Sequence, residues 1–112
     1  MLFDSGIIKF YDLSEIQERG KMPKQSLSFV TSAYYGERTI GYNRYYARLG
    51  ANQQIDMLVR IWENRRIKIG MVAIIQNEQY RISNIQHIIA DDGLRATDIS
   101  LERLGDFYDV IN

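Results

Sequence analysis

Alternation is what most restricts how this chain can fold. Runs in which apolar and polar side chains take turns recur along it, broken by turn-forming residues, and this period of two marks strands with unequal faces. Leu27, Phe29, Thr31, Ala33 and Tyr35 alternate with Ser28, Val30, Ser32 and Tyr34. Ile55, Met57, Val59 and Ile61 alternate with Asp56, Leu58, Arg60 and Trp62. Strands are predicted over residues 6–13, 26–35, 54–63, 67–76, 79–90 and 94–104. In the fifth, Tyr80 and Ile82 are in phase while Ile85 and Ile89 are not, so a bulge is expected near Ser83 and Asn84.

The links between these runs are short. Residues 63–66 and a site near Asn77 and Glu78 read as turns, and Asp91-Asp92-Gly93 is a strong hairpin signal because Asp-Gly tolerates positive φ. Hairpin links imply antiparallel pairing. One segment changes period: Tyr42, Tyr45, Tyr46 and Leu49 lie at i, i+3, i+4 and i+7 and share one helical face. With Thr39 as N-cap and Gly50 as terminator, they predict one short inserted α-helix over roughly residues 40–50. Residues 14–24 read as a polar loop, in which Ser14 to Gln17 have the composition to start a helical turn. The expected fold is mainly β: a small antiparallel barrel or sandwich of about six strands, in a single domain spanning residues 1–112. Strand order is not readable at this level.

Composition narrows the function classes. A hydrophobic share of 46% and a charged share of 25% are those of an ordinary globular domain. Fourteen basic and fourteen acidic residues cancel, which removes any bulk pull on nucleic acid or anionic lipid and leaves little repulsion between copies. Cysteine is absent, and with it disulfides, zinc-thiolate sites and thiol catalysis. The N-terminal residues lack a signal-peptide pattern, and the longest apolar run, Met71 to Ile75, is far short of a membrane span, so no membrane partner is expected.

Chemistry-bearing constellations are sparse. His87 is the only histidine and reads as a strand residue; with Asp91 and Asp92 it makes at best a weak metal set, because both aspartates already have a turn role. No phosphate loop, nucleophile–base order or carboxylate pair stands out. The expectation is therefore a protein that is not an enzyme and holds no cofactor.

Charge is distributed unevenly. Residues 37–70 carry seven basic side chains against three acidic ones, among them Arg44, Arg48, Arg60, Arg65 and Arg66. Residues 90–112 carry six acidic side chains against two basic ones, Asp98 and Glu102 among them. Both sets read as solvated faces, or as the two sides of a head-to-tail contact between copies; the basic set also admits a small-barrel nucleic-acid-binding module. Eight tyrosines include the doublets Tyr34-Tyr35 and Tyr45-Tyr46, which places one ring of each outward, and Tyr34 is the strand candidate for an interface. The stripe Tyr42, Tyr45, Tyr46 and Leu49 also reads as a cap on the core.

The order of these features resembles a known family. Tyr45-Tyr46-Ala47 in the helix is followed by Ile55 to Ile61, Gly70 to Ile75, Gln79 to Ile82, and the turn at Asp91-Asp92-Gly93. Over roughly residues 27–104 this resembles the head-closure, or head–tail joining (stopper), proteins of tailed bacteriophages and prophages. The resemblance implies a structural virion protein of the connector, or neck. Such a protein assembles in the host cytoplasm as a homo-oligomeric ring, closes the DNA-filled capsid and forms a docking platform for the tail. Implied partners are copies of itself, portal or adaptor proteins and tail proteins, with non-specific contact to DNA in the channel. By position, residues 42–49 match the inserted helix, and residues 14–24 and 50–54 match channel or inter-ring loops.

Overall fold

The computed structural model describes residues 3–16, 24–38, 55–105 and 108–110. Among these there is no helix; the predicted helix, with Arg44 and Arg48, lies outside them. The described chain forms seven strands: β1 (Gly6–Ile16), β2 (Lys24–Glu37), β3 (Met57–Trp62), β4 (Val72–Ile75), β5 (Glu78–Ile89), β6 (Arg95–Arg103) and β7 (Asp109–Val110). All belong to one sheet in the order β1-β4-β5-β6-β3-β2-β7, and β1 pairs again with β2, so the first six strands are bonded in a closed circuit. Their pairings are all antiparallel; β7 alone runs parallel to its neighbour.

Local chemistry accounts for the turns. β4 and β5 are joined by Gln76 and Asn77, both at positive φ (50° and 66°), which is the backbone of the type I′ hairpin whose twist matches that of its strands. The turn is therefore one residue earlier than the sequence suggests. The β5–β6 link is the expected one: Gly93 sits at φ 82°, its N–H donates to the Ala90 carbonyl, and the Asp92 carboxylate accepts from the Leu94 N–H.

Two bulges bend the sheet. In β5 the register jumps between Ile82 and Asn84, leaving Ser83 as the extra residue where the phase slip predicts one. Its hydroxyl donates to the Ser100 carbonyl across the ladder. In β2 the partners of Phe10 and Tyr11 are Thr31 and Phe29, so Val30 is skipped. This corrects the single-face reading of β2. Thr31, Ala33 and Tyr35 oppose Phe10, Ile8 and Gly6, whereas Leu27 and Phe29 oppose Leu13 and Tyr11 on the other face. Residues Ser14 to Ile16 continue β1 and are not helical, because Ser26, Gln25 and Lys24 extend the ladder opposite them.

The main core fills the concave side: Ile8 and Phe10 from β1, Val59 and Ile61 from β3, Ala73 and Ile75 from β4, Tyr80 and Ile82 from β5, and Ile99 and Leu101 from β6. Fully burying one such large aliphatic or aromatic side chain is worth about 1.5–3 kcal/mol, so this cluster dominates stability. Tyr35 completes one end by laying its ring over Gly6, where a Cβ would meet the ring at 3.3 Å. A second cluster of Tyr11, Leu27 and Val72 lies on the outer face, packed by Ile74, Leu104 and Tyr108. The C-terminal segment is held there by a two-way amide contact: Gln79 Nε2 donates to the Tyr108 carbonyl and Oε1 accepts from the Tyr108 N–H, both at 2.8 Å.

The β1–β2 hairpin outruns the rest. β4 covers β1 only from Lys9 to Tyr11, while the hairpin ladder continues to Ile16 and Lys24. The radius of gyration is 15.0 Å, against about 13 Å for a compact domain of this length, and the long axis is 54 Å. The β1–β2 hairpin, called the arm below, extends its ladder past the end of β4.

Candidate docking surfaces

The outer face of the β1–β2 ladder combines apolar character with exposure. Ile7 faces Tyr34 across the strands, and the two side chains are 50% and 64% exposed. Further along the same face Phe29 opposes Tyr11 and meets it edge-on with ring centroids 5.7 Å apart. Leu13 and, on β7, Val110 are also exposed. Five of the nine exposed large apolar side chains among the described residues thus gather on the hairpin or the strand added to it. The exposed Lys9–Ser32 pair lies between Ile7–Tyr34 and Tyr11–Phe29 on this face, so the apolar groups flank a polar break. Of these only Tyr34 stands out in the sequence; Phe29 is turned outward by a bulge that leaves no signal in a run of strand-forming residues.

The charged candidates are arranged differently. Arg60 on β3 and Asp98 on β6 are directly paired in register. Arg60 Nε donates to Asp98 Oδ1 at 2.6 Å and Nη2 to Oδ2 at 3.0 Å, and the side chains are only 13% and 11% exposed. The Asp98 hydrogen bond raises the Arg60 pKa further, with the charges of Asp98, Asp91 and Asp92 adding to it against the cost of burial. Glu102 accepts from Arg81 Nη2 at 2.9 Å on neighbouring β5. Arg60, Asp98 and Glu102 thus each meet an opposite charge within one chain, one strand away.

Arg65 and Arg66 occupy the link after β3. Arg65 Nη2 approaches Glu63 at 3.4 Å, while Arg66 Nη2 donates to the Val30 carbonyl at 3.2 Å and its N–H donates to Asn64 Oδ1. These two remain on the surface, and Arg66 ties the link to β2.

His87 lies beside an open groove of about 460 Å³ lined by Glu63, Arg65, His87, Ile88, Ile89 and Arg95. Its Nδ1 is 2.9 Å from the hydroxyl of buried Thr97, which also accepts the Asn64 N–H. The imidazole is thus oriented by a neighbouring strand. Among the described residues no group of three acidic or histidine side chains is placed to hold a metal, so His87, Asp91 and Asp92 are not brought together as a site. No helix among them is long and apolar enough to cross a membrane. A scan against protein-family models and a search of curated proteins both return no match.

Proposed function

We propose that this chain is a structural assembly protein whose small barrel body carries a β-hairpin arm for docking onto copies of itself and onto neighbouring proteins. The specific setting is the head–tail connector of a tailed phage. There a homo-oligomeric ring in the virion neck closes the DNA-filled capsid and receives the tail, with portal or adaptor and tail proteins as partners. The observation that carries the docking reading is the set of exposed apolar side chains on the outer face of the hairpin, with Ile7 and Tyr34 at one end and Phe29 and Leu13 toward the other. The order of sequence features carries the phage setting. The work of such a protein is geometric: a closed circuit of strands gives a rigid body, and the arm reaches a neighbour. Ser14 to Ile16 and Lys24 close the described hairpin ladder and belong to the 14–24 region that the resemblance assigns to channel or inter-ring contacts.

The alternative of a nucleic-acid-binding module draws less support. Arg60 is committed to Asp98, Arg65 approaches Glu63, and net charge is zero. Fluorescence anisotropy with single- and double-stranded oligonucleotides at about 50 and 200 mM salt separates the two readings. The assembly reading predicts weak binding, with Kd above about 100 µM at the higher salt, where a non-specific nucleic-acid binder falls in or near the micromolar range. Micromolar or tighter binding by the monomer that weakens steeply with salt contradicts it.

A further inference from the structure

The hairpin arm has two backbone edges, and each contains a stretch that the described chain leaves unpaired. On the side of β2 away from β1, β7 bonds only Ser26 and Leu27, and β3 bonds only Gly36 and Glu37. Between them, from Ser28 to Tyr35, the one contact to that edge is the Arg66 side chain on the Val30 carbonyl. On the side of β1 away from β2, the β4 ladder stops at Tyr11, and Asp12 to Ile16 have no strand beside them.

Alternation tells which amides point outward. The Arg38 N–H bonds the Leu58 carbonyl on β3, and the Tyr35 carbonyl accepts from Ser5 on the β1 side, so from Ser32 to Arg38 the even-numbered residues turn their N–H and C=O away from β1, and the parity reverses only beyond the bulge at Val30. Ser32 and Tyr34 therefore present backbone groups to the open edge of β2. In β1 the odd residues face β4, as the bracketing of that ladder by Lys9 and Tyr11 shows, which leaves Leu13 and Glu15 presenting theirs beyond its end.

Natural sheets guard such edges with charge, proline or a cover. The eight residues Ser28 to Tyr35 contain no charge, no proline and no glycine, and are rich in strand-forming types. The same edge already accepts a strand, since β7 adds to it at Ser26 and Leu27. We propose that the open edge of β2 is completed by the open edge of β1 from a second copy, Asp12 to Ile16, joining arms into a sheet that runs between subunits. The donor and acceptor are different strands, so the contact is head-to-tail, the type that closes into rings. With zero net charge, no long-range repulsion opposes it. This inference rests on the ring reading above and supplies its contact.

The test is amide hydrogen exchange on the full chain, dilute and at a concentration where sedimentation shows assembly. The N–H groups of Ser32, Tyr34, Leu13 and Glu15 exchange freely in the dilute sample and slow by about tenfold or more in the assembled one, a change worth about 1.4 kcal/mol. Unchanged rates at all four in an assembled sample overturn the edge contact and leave ring formation to another surface. Slowing at Ser32 and Tyr34 without Leu13 and Glu15 overturns the head-to-tail pairing in favour of β2 against β2. A sample that never assembles removes the ring reading itself. Ser32→Pro deletes one edge N–H while sparing the β1–β2 ladder and weakens assembly at least about tenfold; Ser32→Ala leaves it unchanged. Tyr34→Lys, which keeps the backbone, places a charge on the same edge and also weakens assembly, so a folding failure in the proline variant does not decide the matter. Assembly at wild-type strength in Tyr34→Lys overturns the contact.

Discussion

Replacing Asp98 with alanine is predicted to cost about 3–5 kcal/mol, the range for removing one partner of a buried ion pair and leaving the other charge uncompensated. The geometry places the pair at that end of the scale. Two charge-assisted hydrogen bonds of 2.6 and 3.0 Å join side chains that are 13% and 11% exposed, and the two strands hold them in direct register. A surface pair would contribute at most about 1 kcal/mol. For 112 residues the unfolding entropy is about 0.24 kcal/mol/K, so the melting temperature falls by roughly 13–21 °C. Urea titration followed by the fluorescence of Trp62 measures the loss directly, since the chain has one tryptophan and it sits at the end of β3. The double variant Arg60→Met with Asp98→Leu recovers most of it, because exchanging a whole buried pair for apolar residues is near neutral. A cost below about 1 kcal/mol in the single variant would refute the reasoning and show that water screens the pair.

Three further outcomes follow from individual contacts. Gln79→Ala removes both bonds to the Tyr108 backbone, so amide exchange in β7 accelerates while the β5–β6 ladder is unaffected; unchanged exchange in β7 contradicts the two-way clamp. Asn77→Gly relieves a left-handed non-glycine residue at φ 66° and raises stability by about 1 kcal/mol in chemical denaturation, and a loss would mean that the Asn77 side chain holds the turn. Burial, then the nearby Glu37 and Tyr80, raise the Tyr35 pKa above its ordinary 10.0. The folded state therefore holds that proton more tightly, and its contribution to stability is present below pH 10 and lost as pH rises through the folded value. Tyr35→Phe accordingly shows a shallower loss of stability above pH 10 than the unchanged chain, and parallel pH profiles contradict this.

Much of the strand pattern was legible because it is local. The alternation around Val59 and Ile61, the phase slip at Ser83 and the Asp92-Gly93 turn each depend on a few neighbouring residues, and the structure shows all three. The strand order is not, since it depends on pairs such as Lys9 with Ile74 that only the folded chain brings together. Ser14 to Ile16 looked like a loop or helical start because their composition is polar, yet cross-strand partners on β2 hold them extended. β7 leaves no sequence signal for the same reason: two residues have no periodicity, and a parallel neighbour 83 positions away in the chain creates the strand. Among the candidate interface residues, Tyr34 reads correctly as outward. Sequence alone assigns Arg60 and Asp98 to separate charged regions because 38 positions lie between them, whereas antiparallel register makes them neighbours.

The central claim is that this chain works by assembling through its hairpin arm. Sedimentation velocity from about 1 µM to about 1 mM tests it most directly, because at the upper limit even a contact of about −4 kcal/mol is half occupied. The account predicts a discrete, concentration-dependent oligomer that is lost when Tyr34 and Phe29 are both changed to lysine. A single monomeric species across the whole range, or an oligomer indifferent to those two substitutions, would contradict it.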